Sequence, residues 1–252
     1  MKISTFKAIV TYDGLCFSGW QIQTGIKSVQ LEIENVLKQI FGLAVGIKAS
    51  GRTDASVHGL AQVFSFSVQT KMVPSQILPA MNALLDKSIR IKHISRVDQN
   101  FHPRFSAQKK IYRYLICNFP SPFLKDRAWY VTEKLNLYQM RKACSFIIGT
   151  HDFTSFQASG SQIKNTVRTI ESIRIKKEYF CIDPDVDVIV IEICGNGFLY
   201  KMARNIVGTL VDVGKGKKMP VDVKDIIEAR NRKAASATAP AYGLYLANVI
   251  YE

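Results

Sequence analysis

Val45-Gly-Ile-Lys-Ala49-Ser-Gly51-Arg52-Thr-Asp54-Ala-Ser56-Val-His58-Gly59-Leu-Ala-Gln62-Val-Phe-Ser-Phe-Ser-Val68 holds two strand patterns with a run of small residues between them. Val45–Ala49 reads as a short strand, and Gln62–Val68 alternates apolar and polar side chains as a second one. Two successive strands in this position set the order of everything around them. Upstream, Ser28 is a fitting N-cap for a helix whose apolar positions are Val29, Ile33, Val36, Leu37 and Ile40. Before that helix, Thr5–Thr11 is a strand closed by Tyr12-Asp13-Gly14. Downstream, Pro74–Leu85 reads as a helix and Ile89–Val97 as a strand. The order is β-α-β-β-α-β, the ferredoxin-like or RRM-like arrangement.

The linking run, Ala49–Gly59, places one acid, one fixed cation and one imidazole among small side chains. Small residues and Gly51 let another backbone or a ligand come close. Arg52 and Asp54 are two apart, so in an extended chain they project to the same side. An Arg beside a carboxylate favours the ionised form that a nucleophile or general base requires. Taken alone, the pair equally fits an exposed loop ion pair of almost no energetic weight.

Beyond Pro103, which forces its predecessor out of helical geometry, the second part repeats the element order with longer insertions. Lys109–Ile116 is a strand with basic and aromatic residues interleaved, including Lys110, Tyr112 and Tyr114. Asn136 caps a helix to Ile148, which Gly149 ends. Ser155–Asn165 reads as a mobile polar loop. Val167–Phe180 and Val186–Cys194 read as a hairpin around Asp183-Pro184. A helix over Phe198–Val213 has Leu199, Met202, Ala203, Ile206, Val207 and Leu210 on one face, with Lys201, Arg204 and Asn205 on the other flank. Val221–Arg230 is a further helix and Leu244–Tyr251 a closing strand. The fold class expected is α/β (α+β): two RRM-like halves, 1–104 and 105–252, with a continuous, mainly antiparallel sheet and a central cleft.

Charge is the informative total, with 34 Lys and Arg against 20 Asp and Glu, a net of +14. Splitting after Arg104 leaves 12 basic and 6 acidic residues before it, and 22 and 14 after it. Both parts are therefore basic, which favours a polyanionic partner such as RNA or DNA. The five cysteines are odd in number and scattered, against a disulfide framework or a zinc site. No apolar run approaches a membrane span and the first residues lack a signal-peptide core, so a cytoplasmic location is expected.

Several catalytic signatures fail. Gly208…Gly214-Lys215-Gly216 has the wrong spacing for a phosphate loop and lacks the following Ser or Thr. The histidines at 58, 93, 102 and 151 form neither H-E-x-x-H nor H-x-E, and there is no G-x-S-x-G elbow. What remains is chemistry by carboxylate, phenol and guanidinium, without metal or cofactor. Asp54, Tyr112 and Arg204 are the candidates, with the Gly243-Leu244 corner. Tyr112 equally fits a half-buried strand tyrosine and Arg204 a surface arginine. Phe17 and Trp20 read as core.

In order along the chain stand Tyr12-Asp-Gly…Phe17-x-Gly-Trp20-Gln21-x-Gln23, Gly51-Arg52-Thr53-Asp54-Ala55, Phe101-His-x-Arg104-Phe-Ser-Ala107 and Tyr112-Arg-Tyr114. There follow His151-Asp-Phe-Thr-Ser-Phe156, Gly195…Phe198…Met202-x-Arg204-Asn-Ile-Val-Gly208 and Ala239-Pro-Ala-x-Gly-Leu244-Tyr-Leu246. In this combination the sequence resembles the tRNA pseudouridine synthase A family over essentially its whole length. The resemblance implies the pseudouridine synthase fold, with Asp54 as catalytic aspartate, Tyr112 as active-site tyrosine and Arg204 as the arginine paired with the aspartate. Arg52 would help displace the target base. Ser56 and Pro103 depart from the family pattern, which has Gly and Ala at those places.

The implied reaction cuts the N1–C1′ bond of uridine, turns the uracil and rejoins it through C5. It needs a carboxylate at the sugar, as nucleophile at C1′ or base at C2′, and a base for the C5 proton. The implied substrate is uridine 38, 39 or 40 of the tRNA anticodon stem-loop, and the implied assembly a homodimer, with no membrane or metal partner. Arg52, His58, Lys110, Tyr112, Lys201 and Leu244 are the candidate RNA contacts. The rival readings are a catalytically silent RNA-binding module and a pseudouridine synthase acting on another RNA.

Overall fold

The computed structural model describes residues 3–161 and 163–251. In chain order its elements are β1 (Ile3–Tyr12), α1 (Val29–Phe41), β2 (Ile47–Ala49), β3 (His58–Gln69), α2 (Pro74–Leu84), β4 (Ile89–Val97), β5 (Lys109–Cys117), β6 (Trp129–Tyr130), α3 (Leu137–Ile147), β7 (Gly149–Asp152), β8 (Val167–Phe180), β9 (Asp183–Gly195), α4 (Met202–Gly214), α5 (Asp222–Glu228) and β10 (Leu244–Ile250). Contacts divide the chain into two units, Met1–Gln108 with Tyr245–Glu252, and Lys109–Leu244. The expected division after Arg104 assigned the closing strand to the second half. In the structure, Tyr245 and Leu246 of β10 pair in parallel with His58 and Gly59 of β3, so this strand counts with the first unit.

In the first unit β1 lies between β4 and β3, antiparallel to both, and β2 adds to β3. Alternation along these strands sends Phe6, Ala8 and Val10 of β1, with Phe64, Phe66 and Val68 of β3, into one core. Val29, Ile33 and Leu37 of α1 and Ile77 and Met81 of α2 complete it. Each such side chain other than the Ala8 methyl contributes about 1.5–3 kcal/mol on full burial. Ser28 caps α1 by accepting from the Leu31 amide at 3.4 Å, and Gly42 closes it in the left-handed region at φ 72°. Phe17 and Trp20 are buried, as expected of core residues.

The second unit has its own mainly antiparallel sheet in the order β5-β9-β8-β7, with β6 parallel to β5. Tyr114 and Ile116 of β5 share a buried face with Ile189, Ile191 and Ile193 of β9. On the other face Cys117, Leu124, Val186, Val188 and Val190 form a smaller core. Helices α3 and α4 pack together, and α4 is buried along nearly its whole length.

Four local readings change. Helix α4 begins at Met202 instead of Phe198, because Lys201 takes a left-handed conformation, φ 57°, that ends the preceding turn. Asn205, assigned to the polar flank of that helix, is fully buried. Asp183 and Pro184 belong to β9, so the hairpin turn lies before them. The expected mobile loop starts in a short 3-10 turn in which Ser155 and Phe156 are buried. Gln162 of that loop lies outside the described residues.

Candidate active site

In the first unit the residues around Asp54 form an irregular loop held from several sides. Ser50, fully buried, donates to Gln62 Oε1 at 2.5 Å, and Gln62 Nε2 donates to the Gly51 carbonyl at 2.9 Å. Thr53 Oγ1 lies 2.7 Å from the Tyr12 hydroxyl, and the Thr53 carbonyl accepts from the Trp20 amide at 3.1 Å. Burial pushes the Tyr12 hydroxyl pKa well up, so the phenol stays neutral as a hydrogen-bonding strut. Thr53 is buried, with Arg52 exposed on one side and Asp54 half-buried on the other. The loop thus presents the carboxylate while tying down the residue before it.

The glycines of the Tyr12-Asp-Gly and Gly-Trp20 motifs explain themselves here. A Cβ on Gly14 would lie 2.2 Å from the Val57 carbonyl oxygen, and one on Gly19 would lie 2.8 Å from the Thr53 oxygen. Gly19 also sits at φ 97°, where other residues are strained. Only bare backbone lets these two segments close on the Asp54 loop. The Val57 amide then turns back to the Asp54 carbonyl at 3.2 Å, and Ser56 between them takes φ 63°.

His58 is 2% exposed. Its Nδ1 lies 3.2 Å from both the Gly14 amide nitrogen and Asp13 Oδ1, and its ring stacks on Tyr245 at 4.5 Å. Expected as an RNA contact, it is an internal brace at the root of the Asp54 loop. Leu244, also offered as an RNA contact, is 5% exposed and packs as a core residue. Arg52 is exposed, while Lys110 and Lys201 are half-buried.

In the second unit Tyr112 is half-buried on β5, its ring edge-on to Phe198 at 4.8 Å. Tyr114 follows on the same strand face and donates its hydroxyl to the Pro240 carbonyl at 2.8 Å. Burial pushes the Tyr114 pKa up, with Tyr242 adding to the rise and the Arg204 charge opposing it. Arg204, in the first turn of α4, donates Nε to the Ala239 carbonyl at 2.7 Å. Tyr112 thus touches Phe198, just before α4, and Tyr114 lies within the field of Arg204 in the first turn of that helix. The structure holds Asp54, Arg52 and His58 in the other unit.

Sequence reasoning missed the supports, namely Gln62, Thr53, Asn205, Arg232 and Thr238. Gln62 gave a signal, since it sits in phase with Phe64 and Phe66 on the core face of its strand. A polar residue in an apolar phase has to find buried partners.

The chemistry these side chains offer is a presented carboxylate in one unit, and a phenol and a tethered guanidinium in the other. The family described as tRNA pseudouridine synthase matches residues 8–106 and 143–252, spans that include both Asp54 and Arg204. A tRNA pseudouridine synthase A of Acetivibrio thermocellus is 43% identical over 247 residues, 97% of this chain and 98% of the relative. That of an Exiguobacterium species is 42% identical over 98% of this chain and 97% of its own. That of Anaplasma phagocytophilum is 41% identical over 98% and 99%. Identity of this extent at both ends of the alignment, over a chain whose motif glycines and aromatics close around Asp54, leaves one assignment: the chain belongs to the tRNA pseudouridine synthase family.

Proposed function

We propose that this protein converts uridine to pseudouridine in the anticodon stem-loop of tRNA, at positions 38, 39 and 40. In this reading Asp54 supplies the carboxylate at the sugar and Arg204 the guanidinium paired with it. Tyr112 stacks on the uracil, and Arg52 helps draw the base from its stack, a step that costs a few kcal/mol. The N1–C1′ bond breaks, C5 bonds to C1′ in its place, and the C5 proton leaves as N1 regains one. Atoms balance without an external reagent. A homodimer in the cytoplasm, with tRNA as its polyanionic partner, belongs to the same proposal.

The observation that carries the reading is the construction of the Asp54 loop. Buried hydrogen bonds from Tyr12, Trp20 and Gln62 fix a loop whose acid is left half-exposed, as a carboxylate that must meet a substrate requires. An ordinary surface ion pair needs no such scaffold.

The test is Asp54→Asn, assayed for pseudouridine in anticodon-arm RNA and, separately, for tRNA affinity. Turnover is expected to fall by at least about a hundredfold, since one acid–base or nucleophilic role carries about 10² to 10⁴. Affinity should stay near that of the parent. Turnover within about tenfold of the parent would remove Asp54 from the reaction. Mapping pseudouridines in tRNA from cells lacking the protein decides the positions.

A further inference from the structure

Arg204 is gripped by the irregular stretch that follows a 3-10 turn at Arg232–Ala234. Its Nε donates to the Ala239 carbonyl at 2.7 Å, and its own carbonyl accepts from the Ala239 amide at 3.2 Å. Both polar groups of one residue are therefore committed to one arginine, and the Nε bond sets the plane of the guanidinium. A fixed plane matters because the fork geometry of a guanidinium is useful only when aimed.

What holds Ala239 in place is a partly buried network one residue away on each strand of the contact. Asn205, next to Arg204 on α4, is fully buried. Its Nδ2 donates to the Phe156 carbonyl at 2.7 Å. Its Oδ1 accepts from the Thr238 hydroxyl at 2.6 Å and from Arg232 Nη2 at 3.1 Å. Arg232 Nη2 also reaches Thr238 Oγ1 at 3.1 Å, and Nη1 donates to the Ala235 carbonyl at 3.2 Å. Two backbone bonds finish the strap: the Asn231 amide to Ser155 Oγ at 2.8 Å, and the Ser236 amide to Thr209 Oγ1 at 3.3 Å. At Gly208 a Cβ would sit 2.0 Å from the Ala237 carbonyl oxygen, so the strap lies directly on the helix.

The side-chain polar groups of Asn205, Arg232 and Thr238 all find partners in this network, and its cation is half-buried. Burial lowers the Arg232 pKa, the direction expected of a guanidinium drawn from water. A surface arginine of merely solvating use would not be given three acceptors.

We propose that Arg232 and Thr238, acting through Asn205, are positioning residues for Arg204: they pin the 231–240 strap so that Ala239 aims the guanidinium. This inference rests on the reading of Arg204 as a participant in the reaction. Neither residue touches substrate in this account. Their effect passes through Asn205 and the Ala239 peptide.

The test uses the full-length protein and two variants at one position. Thr238→Val keeps the shape and removes the hydroxyl, while Thr238→Ser keeps the hydroxyl and removes a methyl. The first readout is independent of activity: the Arg204 Nε–H resonance, identified by its loss in Arg204→Lys, reports the bond to Ala239. In Thr238→Val that resonance should lose its protection from solvent exchange, and in Thr238→Ser it should keep it. The second readout is kinetic. In Thr238→Val kcat should fall by about ten- to a hundredfold, the scale of a small misplacement at a reacting centre, with KM for tRNA near the parent value. Thr238→Ser should restore kcat. Arg232→Lys, which keeps the charge and loses the fork, should behave as Thr238→Val.

An unchanged Arg204 resonance in a folded Thr238→Val overturns the proposal. So does a lost resonance with unchanged kcat, which would make the strap purely structural. A fall in kcat that Thr238→Ser shares would assign the effect to packing and overturn it as well. If the parent protein forms no pseudouridine, the functional reading fails, and the resonance alone still decides whether the strap holds Arg204.

Discussion

Ser56 carries the left-handed backbone that lets the chain turn between the Asp54 carbonyl and the Val57 amide, at φ 63°. An L-residue there costs about 1–2 kcal/mol relative to glycine's freedom. Glycine would give back about 0.4–1 kcal/mol through the unfolded chain. Ser56→Gly should therefore stabilise the protein by about 0.5 kcal/mol, a rise of about one or two degrees in Tm for a chain of this size. A fall in Tm would show that the Ser56 side chain contributes more than its backbone costs. The departure from the family pattern at this place thus has a physical meaning that no spacing rule contained. Pro103, the other departure, is buried, and its carbonyl accepts from the Tyr251 hydroxyl at 2.7 Å. Asp54, Tyr112 and Arg204 could be named as candidates because each sits inside a motif and carries a reactive group. The supporting roles of Asn205 and Arg232 could not be read, because they lie in partners 27 to 49 residues away in sequence.

At the scale of elements, the short strands of the second half, β6 and β7, were the ones missed. β7 has four residues and β6 two, too few to show alternation. Tertiary bonds hold β7 instead. Asp152 Oδ1 accepts from the Thr154 amide at 3.1 Å and from the Thr154 and Thr166 hydroxyls at 2.6 Å each, while Oδ2 faces Arg230 Nε at 3.3 Å. Burial by itself would raise the Asp152 pKa. The hydrogen bonds and the Arg230 charge outweigh it, and the net shift is downward. A carboxyl lowered in the folded state adds stability above its unfolded pKa and loses it as pH falls through the folded value. Asp152→Asn, which keeps an acceptor and drops the charge, should cost about 1 kcal/mol at neutral pH. In urea denaturation series the gap from the parent should close on acidification below the carboxylate range. A gap that stays constant with pH would mean that the charge contributes nothing. The long helices α1 and α3, by contrast, were readable from Ser28 and Asn136, whose side chains cap them as expected.

For the whole molecule, charge remains the property most plainly written in the sequence. The net +14 is shared by both parts of the chain, so RNA binding should involve many phosphates spread over them. Affinity for tRNA should fall steeply with salt, by a slope of about −0.7 to −0.9 in log–log terms for each phosphate neutralised. Filter or fluorescence titrations between low and physiological salt measure it, and a flat response would contradict the proposed substrate class. The β-α-β-β-α-β order of the first half could be read because its helices and longer strands carry clear periods. The partner of the closing strand could not, since Leu244–Ile250 has the same alternation whichever edge it joins.

That parallel pairing of β10 with β3 also orders events during synthesis. The chain that builds the first unit is interrupted by Lys109–Leu244 and resumes at Tyr245. A ribosome making about 5–20 residues per second needs on the order of ten seconds to cross the interruption. Throughout that interval the nascent first unit waits with the start of β3 unpaired on one side, a sheet edge of the kind that invites wrong partners. The second unit can be complete before the first one is. A message cut short between Val97 and Tyr245 therefore yields a product that carries the Asp54 loop on an unfinished sheet.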